Sequence, residues 1–327
     1  MSNFENIIIE TMREEVKETV CESKFVTKQT INSCIRGLLK NQDFAVCGTS
    51  HNYNEKDSYD WGVLLDGHGT DNFIDKMRTL DWDFIMSTIE PWETLEKILM
   101  EIIDLNTRFS SGSTLLMMKA FSDRIETWSI GDSQIIIYKN EGEVYKSTPH
   151  NLNNPKEVER LNNVRPGTWW SEKMSSPVFQ IRSSTSLQAR EATYIFFNQE
   201  TQLAMSQSIG HNNITGYEPE KNVLYFTPED KITCILGSDG LFDMTVIDLS
   251  VHPTLTEKEE HDFITDKMDL LRLSAHELVA KAEARWKQQW NYKWDLKDFT
   301  KSYDSFLDRR SYDDISVIVW KQEQVTL

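Results

Sequence analysis

The sequence has few cysteines, and no two of them have the spacing of a zinc knuckle. The four are Cys21, Cys34, Cys47 and Cys234 in a chain of 327 residues. So low a content predicts packed, reduced thiols and excludes a disulfide-stabilised secreted scaffold. We therefore expect a protein of a reducing compartment, with the cytoplasm as the expected location and the nucleus also open.

Long hydrophobic runs are missing as well. No stretch approaches the ~20 apolar residues that a membrane-spanning helix needs, and residues 1–10 lack the basic start of a secretory signal. We therefore expect no membrane span.

Basic residues are fewer than acidic ones. The chain has 35 Lys and Arg against 52 Asp and Glu, which gives a formal net charge of −17. Nucleic acids and anionic membranes both attract basic surfaces, so neither is expected as a partner. An acidic monomer that binds cations fits this balance better.

What the chain does have is enough apolar residues, 39%, for a sizeable core. A helix-like spacing of apolar residues over residues 4–22 predicts an N-terminal helical extension, assigned to residues 1–24. Residues 25–327 are expected to form a single domain. Within it, the proline-containing stretch 149–190 is predicted as a surface flap, and the charged stretch 245–311 as a helical insertion. Trp286, Trp290 and Trp294 there have i, i+4 spacing, which favours a packing stripe over a peptide-binding platform.

One stretch near residue 65 combines a buried strand with residues that can carry chemistry. The apolar residues 63–65 predict a buried strand, and it ends in Asp66-Gly67-His68-Gly69. This order places a carboxylate and an imidazole at a sheet edge, and the glycines leave backbone carbonyls open to a hard cation. The alternative is an ordinary tight turn with His68 on the surface.

The same design recurs along the chain, with an acid next to Gly, Ser or a second acid at a strand end. The recurrences are Gly131-Asp132-Ser133, Ser238-Asp239-Gly240, Asp313-Asp314 and the acidic corner Asn41-Gln42-Asp43. Clustered carboxylates repel one another and need cations or protons to compensate. Oxygen ligands select Mg²⁺ or Mn²⁺, and two such ions about 3.5–4 Å apart can activate water and clamp a phosphoryl group.

In this order the motifs resemble those of the metal-dependent Ser/Thr protein phosphatases of type 2C. Three further segments complete the resemblance: Gly112-Ser113-Thr114, residues 204–210 and Asp313-Asp314-Ile315-Ser316. The resemblance spans residues 36–320. It implies an α+β fold with four layers, α/β/β/α, in which two packed antiparallel sheets are flanked by helices.

The resemblance also implies a metal site. Asp66 resembles the carboxylate that bridges two metals, and Gly67 the carbonyl ligand of one of them. The remaining implied ligands are Asp239 and Asp313 for the other metal, Asp132 for a third and weaker one, and Asp43 from the first motif. The cofactor is then Mn²⁺ or Mg²⁺, as two ions with room for a third.

His68 matches the residue proposed as general acid in this family, a role that suits imidazole near neutral pH. The competing interpretation is that His68 is a hydrogen-bond partner that orders metal-bound water. Together with Asp66, His68 forms the expected catalytic pair.

The departures from the family pattern concern phosphate and metal binding. Leu38 stands where a phosphate-binding Arg is usual, so Arg36 or Lys40 must replace it. On a strand, Arg36 would lie on the same face as Leu38, which favours Arg36 as the phosphate-binding residue. Gln42 stands where Glu is common and would be a weaker ligand, and His211 stands where an Asp usually follows Ile209-Gly210.

The function implied is hydrolysis of phosphoserine and phosphothreonine in phosphoprotein substrates by a water activated at two metals. Two alternatives stay open. One is a pseudophosphatase that binds or regulates, motivated by Leu38 and Gln42. The other is a phosphatase that acts on small phosphorylated molecules.

Overall fold

The computed structural model describes residues 11–13, 25–50, 58–102, 111–164, 170–178, 186–197, 202–245, 270–296, 299–306, 309 and 312–326. The strands among them are, in chain order, β1 (Thr11–Arg13), β2 (Phe25–Arg36), β3 (Asp43–Ser50), β4 (Tyr59–Gly69), β5 (Ser111–Ser113), β6 (Leu115–Ala120), β7 (Arg124–Ile130), β8 (Gln134–Lys139), β9 (Gly142–Lys146), β10 (Trp170–Val178), β11 (Ser186–Phe196), β12 (Gln202–Leu203), β13 (Ile209–Gly210), β14 (Glu220–Tyr225), β15 (Ile232–Gly237), β16 (Gln289–Leu296), β17 (Phe299–Phe306) and β18 (Ile315–Thr326). The helices are α1 (Asn72–Arg78), α2 (Trp82–Ser87), α3 (Pro91–Ile102), α4 (Pro155–Val164), α5 (Asp239–Thr245) and α6 (Ala275–Lys287).

Two large antiparallel sheets form the centre of the fold. The first has the strand order β1-β2-β18-β15-β8-β9, and the second has the order β13-β5-β4-β6-β7-β14, with β3 paired to β4. All six residues of β15 and all six of β6 are buried. Because both faces of these strands are buried, their sequences are almost continuously apolar.

Three apolar clusters show how the layers pack. Leu64 and Trp320 belong to a cluster that both sheets share, whereas the neighbouring Val63 and Leu65 pack on the side of α1, α2 and α3. On the other side, Val317 and Leu278 belong to a cluster between the first sheet and α6. The alternation of faces along β4 therefore gives helix, sheet, sheet and helix layers, and the predicted fold class is confirmed.

Two of the predicted helical regions are wrong in part. The helix expected over residues 4–22 is a strand at Thr11–Arg13, where Thr11 pairs with Ser33 on the edge of the first sheet. An apolar spacing of four residues recurs on one face of a strand as well as of a helix, so the pattern did not discriminate. The remaining residues of 1–24 lie outside the described part of the chain.

The helical insertion at 245–311 contains α6, which begins with a capping box at Ser274, but the chain then continues as the hairpin β16–β17. Trp286 is in the helix and buried, whereas Trp290 and Trp294 are in β16, so a single helical stripe of three tryptophans is wrong. Tryptophan and tyrosine are frequent in β16, and both residue types favour strands.

The predicted flap contains α4 and the paired strands β10 and β11, which with β12, β16 and β17 form a third sheet. Residues 165–169 and 179–185 of the flap lie outside the described part. The separation of an extension from a single catalytic domain stays a prediction. Among the helices described, none is long and apolar enough to cross a membrane.

Candidate active site

Strand pairing in the second sheet joins the first motif to the central stretch. Asp43 opens β3 and pairs directly with Asp66 near the end of β4, and the amide of Gly67 donates to the carbonyl of Gln42 (3.2 Å). A Cβ at position 67 would lie 2.6 Å from that carbonyl oxygen, so only glycine allows this approach. This register explains why residue 67 is a glycine, and it brings the carboxylates of Asp43 and Asp66 to one edge of the sheet.

The first sheet delivers two further acids to the same edge. Gly237, at the end of β15, pairs with Val317 near the start of β18. Asp239 therefore lies just after the end of β15, and Asp313 lies just before the start of the neighbouring β18. Asp132 lies in the turn between β7 and β8. The structure thus brings together the carboxylates of Asp43, Asp66, Asp132, Asp239 and Asp313, which we call the acid cluster.

The acid cluster is electrostatically strained. Burial, followed by the charges of Asp239, Asp43 and Asp313, raises the pKa of Asp66 well above its usual range. Burial and Asp239 raise the pKa of Asp313 to about 7, and burial raises that of Asp132 to about 6. Each of these carboxyls therefore binds a proton more tightly than a free carboxyl does, because desolvation and repulsion by its neighbours disfavour the charged form.

The charge of Lys40 partly compensates this cluster. Its Nζ lies 3.3 Å from Oδ1 of Asp313. Burial lowers the pKa of Lys40, but Asp313, Asp66 and Asp239 outweigh that effect, and its pKa is raised overall. Lys40 is therefore the cation that the structure places at the cluster.

The segment that carries Lys40 is held by Asp314, a residue that the sequence analysis left without a role. Its Oδ1 accepts hydrogen bonds from the amides of Leu38 (2.8 Å) and Leu39 (3.2 Å), and its Oδ2 accepts from the amide of Gln42 (2.7 Å). The signal available in the sequence was the doublet Asp313-Asp314, because the side chains of adjacent residues at the start of a strand point in different directions. Asp314 thus anchors the loop while Asp313 faces the cluster.

Arg36 lies elsewhere, which reverses the order expected for the two candidate phosphate-binding residues. Its Nη2 forms an ion pair with Oε1 of Glu283 on α6 (2.9 Å). Lys287 also contacts Glu283, and Arg36 lines a separate cavity of about 590 Å³. Strand parity misled because β2 ends at Arg36, so Leu38 is not on a strand.

Gln42 acts through hydrogen bonds to the backbone and to a neighbouring acid. Its Nε2 donates to the carbonyl of Gly69 (2.9 Å) and to Oδ1 of Asp71 (2.6 Å). An amide can make these bonds whereas a glutamate could not, because both partners are acceptors. The structure therefore uses Gln42 to hold the glycine turn after His68.

His68 stacks on His211, a residue that sequence analysis noted only as a departure. Nε2 of His211 lies 2.8 Å from Nδ1 of His68. Burial, then His211 and Lys40, lower the pKa of His68 well below its usual value. The pair lies at the edge that carries Asp66.

Several oxygens of the acid cluster suit a hard cation. Oδ2 of Asp43, Oδ1 of Asp132 and Oδ1 of Asp239 are buried, and within the described residues they have no hydrogen-bond partner. As placed, no three or more His, Cys, Asp or Glu side chains of the described chain are arranged to hold one ion. The donor set nevertheless fits Mg²⁺ or Mn²⁺, since buried carboxylate oxygens without partners need a cation or a proton.

Comparison with known proteins decides the family. The family model "Protein phosphatase 2C" matches residues 32–285, which is more than half of the chain. The chain belongs to the protein phosphatase 2C family. This family is one of metal-dependent Ser/Thr protein phosphatases, as the motif order predicted. No curated protein matches the chain by sequence.

Three solved structures of similar fold are distant from this chain in sequence. A serine-threonine phosphatase 2C from Toxoplasma gondii has 12% identity and a TM-score of 0.47, over 97% of this chain and 99% of its own. A serine/threonine phosphatase from S. agalactiae has 18% identity and a TM-score of 0.42, over 90% and 98%. The catalytic domain of the serine/threonine phosphatase PstP, in complex with 2 manganese ions, has 15% identity and a TM-score of 0.39, over 91% and 99%.

Proposed function

We propose that this chain hydrolyses phosphoserine and phosphothreonine in proteins at the acid cluster, with Mn²⁺ or Mg²⁺ as cofactor. The observation that supports this most is the convergence of five carboxylates from the ends of five strands, with buried oxygens that have no partner in the described residues. Such an arrangement costs folding free energy, so a protein that only needed to fold would have no reason for it.

In this proposal the metal ligands are Asp66, the carbonyl of Gly67, Asp239 and Asp313. Asp43 and Asp132 belong to the same cluster, where Asp43 would be a further ligand and Asp132 would suit a third ion. Divalent ions bound there would lower the pKa of a coordinated water and offset the charge of the phosphoryl group.

Lys40 and His68 complete the proposed roles. Lys40 would bind a phosphate oxygen, because its ammonium already lies at the cluster, paired with Asp313. His68 would give a proton from Nε2 to the leaving oxygen, and that nitrogen is buried without a partner among the described residues. Arg36, expected in this role, would have to break its ion pair with Glu283.

A pseudophosphatase is the second candidate, and three features of the geometry favour it. Gln42 is engaged in hydrogen bonds, Arg36 is paired away from the cluster, and the acids as placed are not arranged around one ion. Such a protein would bind a phosphorylated partner without turnover.

The experiment that separates the two candidates combines binding and turnover. Calorimetry should detect binding of Mn²⁺, and hydrolysis of p-nitrophenyl phosphate and of a phosphothreonine peptide should require that ion and stop with EDTA. Metal binding without hydrolysis of either substrate would favour the pseudophosphatase. Hydrolysis of small phosphates alone would favour a small-molecule substrate.

A further inference from the structure

The stacked pair His68 and His211 has a geometry that restricts where its protons lie. The ring centroids are 4.8 Å apart and the ring planes differ by 7°, with Nε2 of His211 at 2.8 Å from Nδ1 of His68. Two nitrogens this close share one proton, because two lone pairs or two N–H groups would repel. One ring therefore donates to the other.

The fold builds a slot for the His211 ring. His68 pairs across the strands with Gly112, and Gly112 pairs in turn with Gly210, so both histidines flank the same glycine. A Cβ at position 112 would lie 2.3 Å from Cδ2 of His211. The ring is 2% exposed, and His211 has a φ of 47°, a conformation that is uncommon except for Gly, Asn, Asp and His.

The direction of the hydrogen bond follows from the chemistry expected of His68. When His68 acts as an acid it carries N–H on both nitrogens, so its Nδ1 can only donate. After Nε2 has given its proton to the leaving oxygen, with the electrons of the P–O bond, Nδ1–H can keep the same hydrogen bond. The opposite direction would need a second proton transfer or leave an imidazolate.

We propose that His211 is a positioning residue whose Nε2 accepts a hydrogen bond from Nδ1–H of His68. This contact keeps the neutral His68 in the Nδ1–H tautomer, so that Nε2 is the nitrogen that takes up a proton from water and passes it to the leaving oxygen. The catalytic part of the inference rests on the proposed phosphatase function, whereas the tautomer itself does not. A carboxylate at position 211 would accept the same hydrogen bond, so His211 is a substitution that preserves the direction of the contact.

The first test is spectroscopic and needs no turnover. The ¹⁵N shifts of the His68 ring, measured in the metal-free and the Mg²⁺-loaded protein, should show a protonated Nδ1 and a bare Nε2. His68→Gln assigns the signals. A wild-type spectrum with the proton on Nε2 and a bare Nδ1 would overturn the proposal, even if the enzyme is active.

The second test uses His211→Gln and His211→Met, which have similar size and share the backbone strain. Gln keeps an acceptor oxygen, so the Nδ1–H tautomer and most activity should persist. Met removes the acceptor, so the His68 spectrum should shift toward Nε2–H. With Met, kcat for phenyl phosphate should fall about tenfold or more while KM is unchanged, because general acids contribute 10²–10⁴-fold.

The leaving group distinguishes positioning from a structural defect. p-Nitrophenolate leaves without proton donation, so His211→Met should reduce kcat for p-nitrophenyl phosphate much less than for phenyl phosphate. Equal losses on both substrates, or equal behaviour of Gln and Met, would contradict the proposal. If the wild type hydrolyses neither substrate, the phosphatase function fails while the spectrum still decides the tautomer.

Discussion

Two groups of buried carboxylates in this protein have opposite environments. Glu157 on α4 is 5% exposed and accepts hydrogen bonds from Arg160, Ser206 and Gln207, the last at 2.8 Å. Although burial opposes it, the hydrogen bonds from Arg160 and Ser206 and the charge of Arg160 lower the pKa of Glu157. The acid cluster is buried as well, but its carboxyls have raised pKa values and several oxygens without partners among the described residues.

The difference teaches how to recognise a carboxylate kept for binding. A buried acid can be fully hydrogen-bonded, as Glu157 shows. Burial alone therefore does not explain why oxygens of the acid cluster lack hydrogen-bond partners among the described residues. Partners supplied from outside the chain explain it best, and perturbed carboxyls in one place are candidates for function on physical grounds. The predictions below test whether the two groups differ in this way.

The largest expected effect is on turnover in Asp239→Asn. The change keeps the shape of the side chain and removes a charge from the acid cluster, so Mn²⁺-dependent hydrolysis should fall more than 100-fold, about 3 kcal/mol of transition-state stabilisation. Stability without metal should be unchanged or higher, because repulsion within the cluster is relieved. Steady-state kinetics and urea unfolding in EDTA measure both, and near-normal turnover would refute the assignment.

Glu157→Gln should show the reverse pattern. It removes the charge that pairs with Arg160 across one turn of α4, so the free energy of unfolding should fall by about 3 kcal/mol. The folded fraction should keep wild-type metal affinity and kcat. A stable but inactive Glu157→Gln variant would show that the comparison between the two groups is false.

Much of this arrangement could be read from the sequence, since an acid beside a small residue at an apolar strand end is a local pattern. Asp66, Asp239 and Asp313 were found in this way, whereas the two packed sheets were implied by the family resemblance. Pairing partners across long separations were not readable. The pairing of Asp43 with Asp66 could be inferred only through the resemblance, and the contact of His68 with His211 joins residues 143 positions apart.

The errors have a common physical cause. Periodicity predicts which face a residue occupies only when the type and end of the element are known. Arg36 was favoured because β2 was assumed to continue to Leu38, and the helix at 4–22 was favoured because a four-residue spacing suits helices and strands alike. Tertiary contacts, such as Glu283 for Arg36, then decide where a long side chain goes.

The pH dependence of stability should have opposite signs for the two groups. Asp132 and Asp313 have pKa values of about 6 and about 7 in the folded protein, above the usual 3.8. The folded state therefore binds more protons between about pH 4 and 7, and stability of the metal-free protein should fall as pH rises through that window. Asp313 alone should contribute a loss of about 3 kcal/mol between pH 5 and pH 7, since each pH unit below its pKa is worth about 1.4 kcal/mol.

The lowered pKa of Glu157 contributes stability above its usual value, and this contribution is lost as pH falls below about 4.5. Urea unfolding at pH 5 and pH 7.5 in EDTA excludes Glu157, because Glu157 is ionised at both. The lowered pKa of His68 contributes a slope of the opposite sign, so the comparison with an Asp313 variant is what isolates the acid cluster. Asp313→Asn should flatten the dependence, and saturating Mg²⁺ should reverse it. An Asp313→Asn variant with the full wild-type slope would rule out this origin.

The smallest expected effect separates Lys40 from Arg36, neighbours on the same segment with different partners. Lys40→Met keeps the apolar stem and removes the charge that lies 3.3 Å from Asp313, so kcat/KM with saturating Mn²⁺ should fall about tenfold, near 1.4 kcal/mol. Product inhibition by inorganic phosphate should weaken in parallel, because the same ammonium would hold the product. Arg36→Met breaks a partly exposed ion pair with Glu283, and such pairs contribute about 0–1 kcal/mol to stability, so its kcat/KM should stay within about twofold. A larger loss in Arg36→Met than in Lys40→Met would mean that Arg36 leaves Glu283 when substrate binds, and it would restore the order that strand parity suggested.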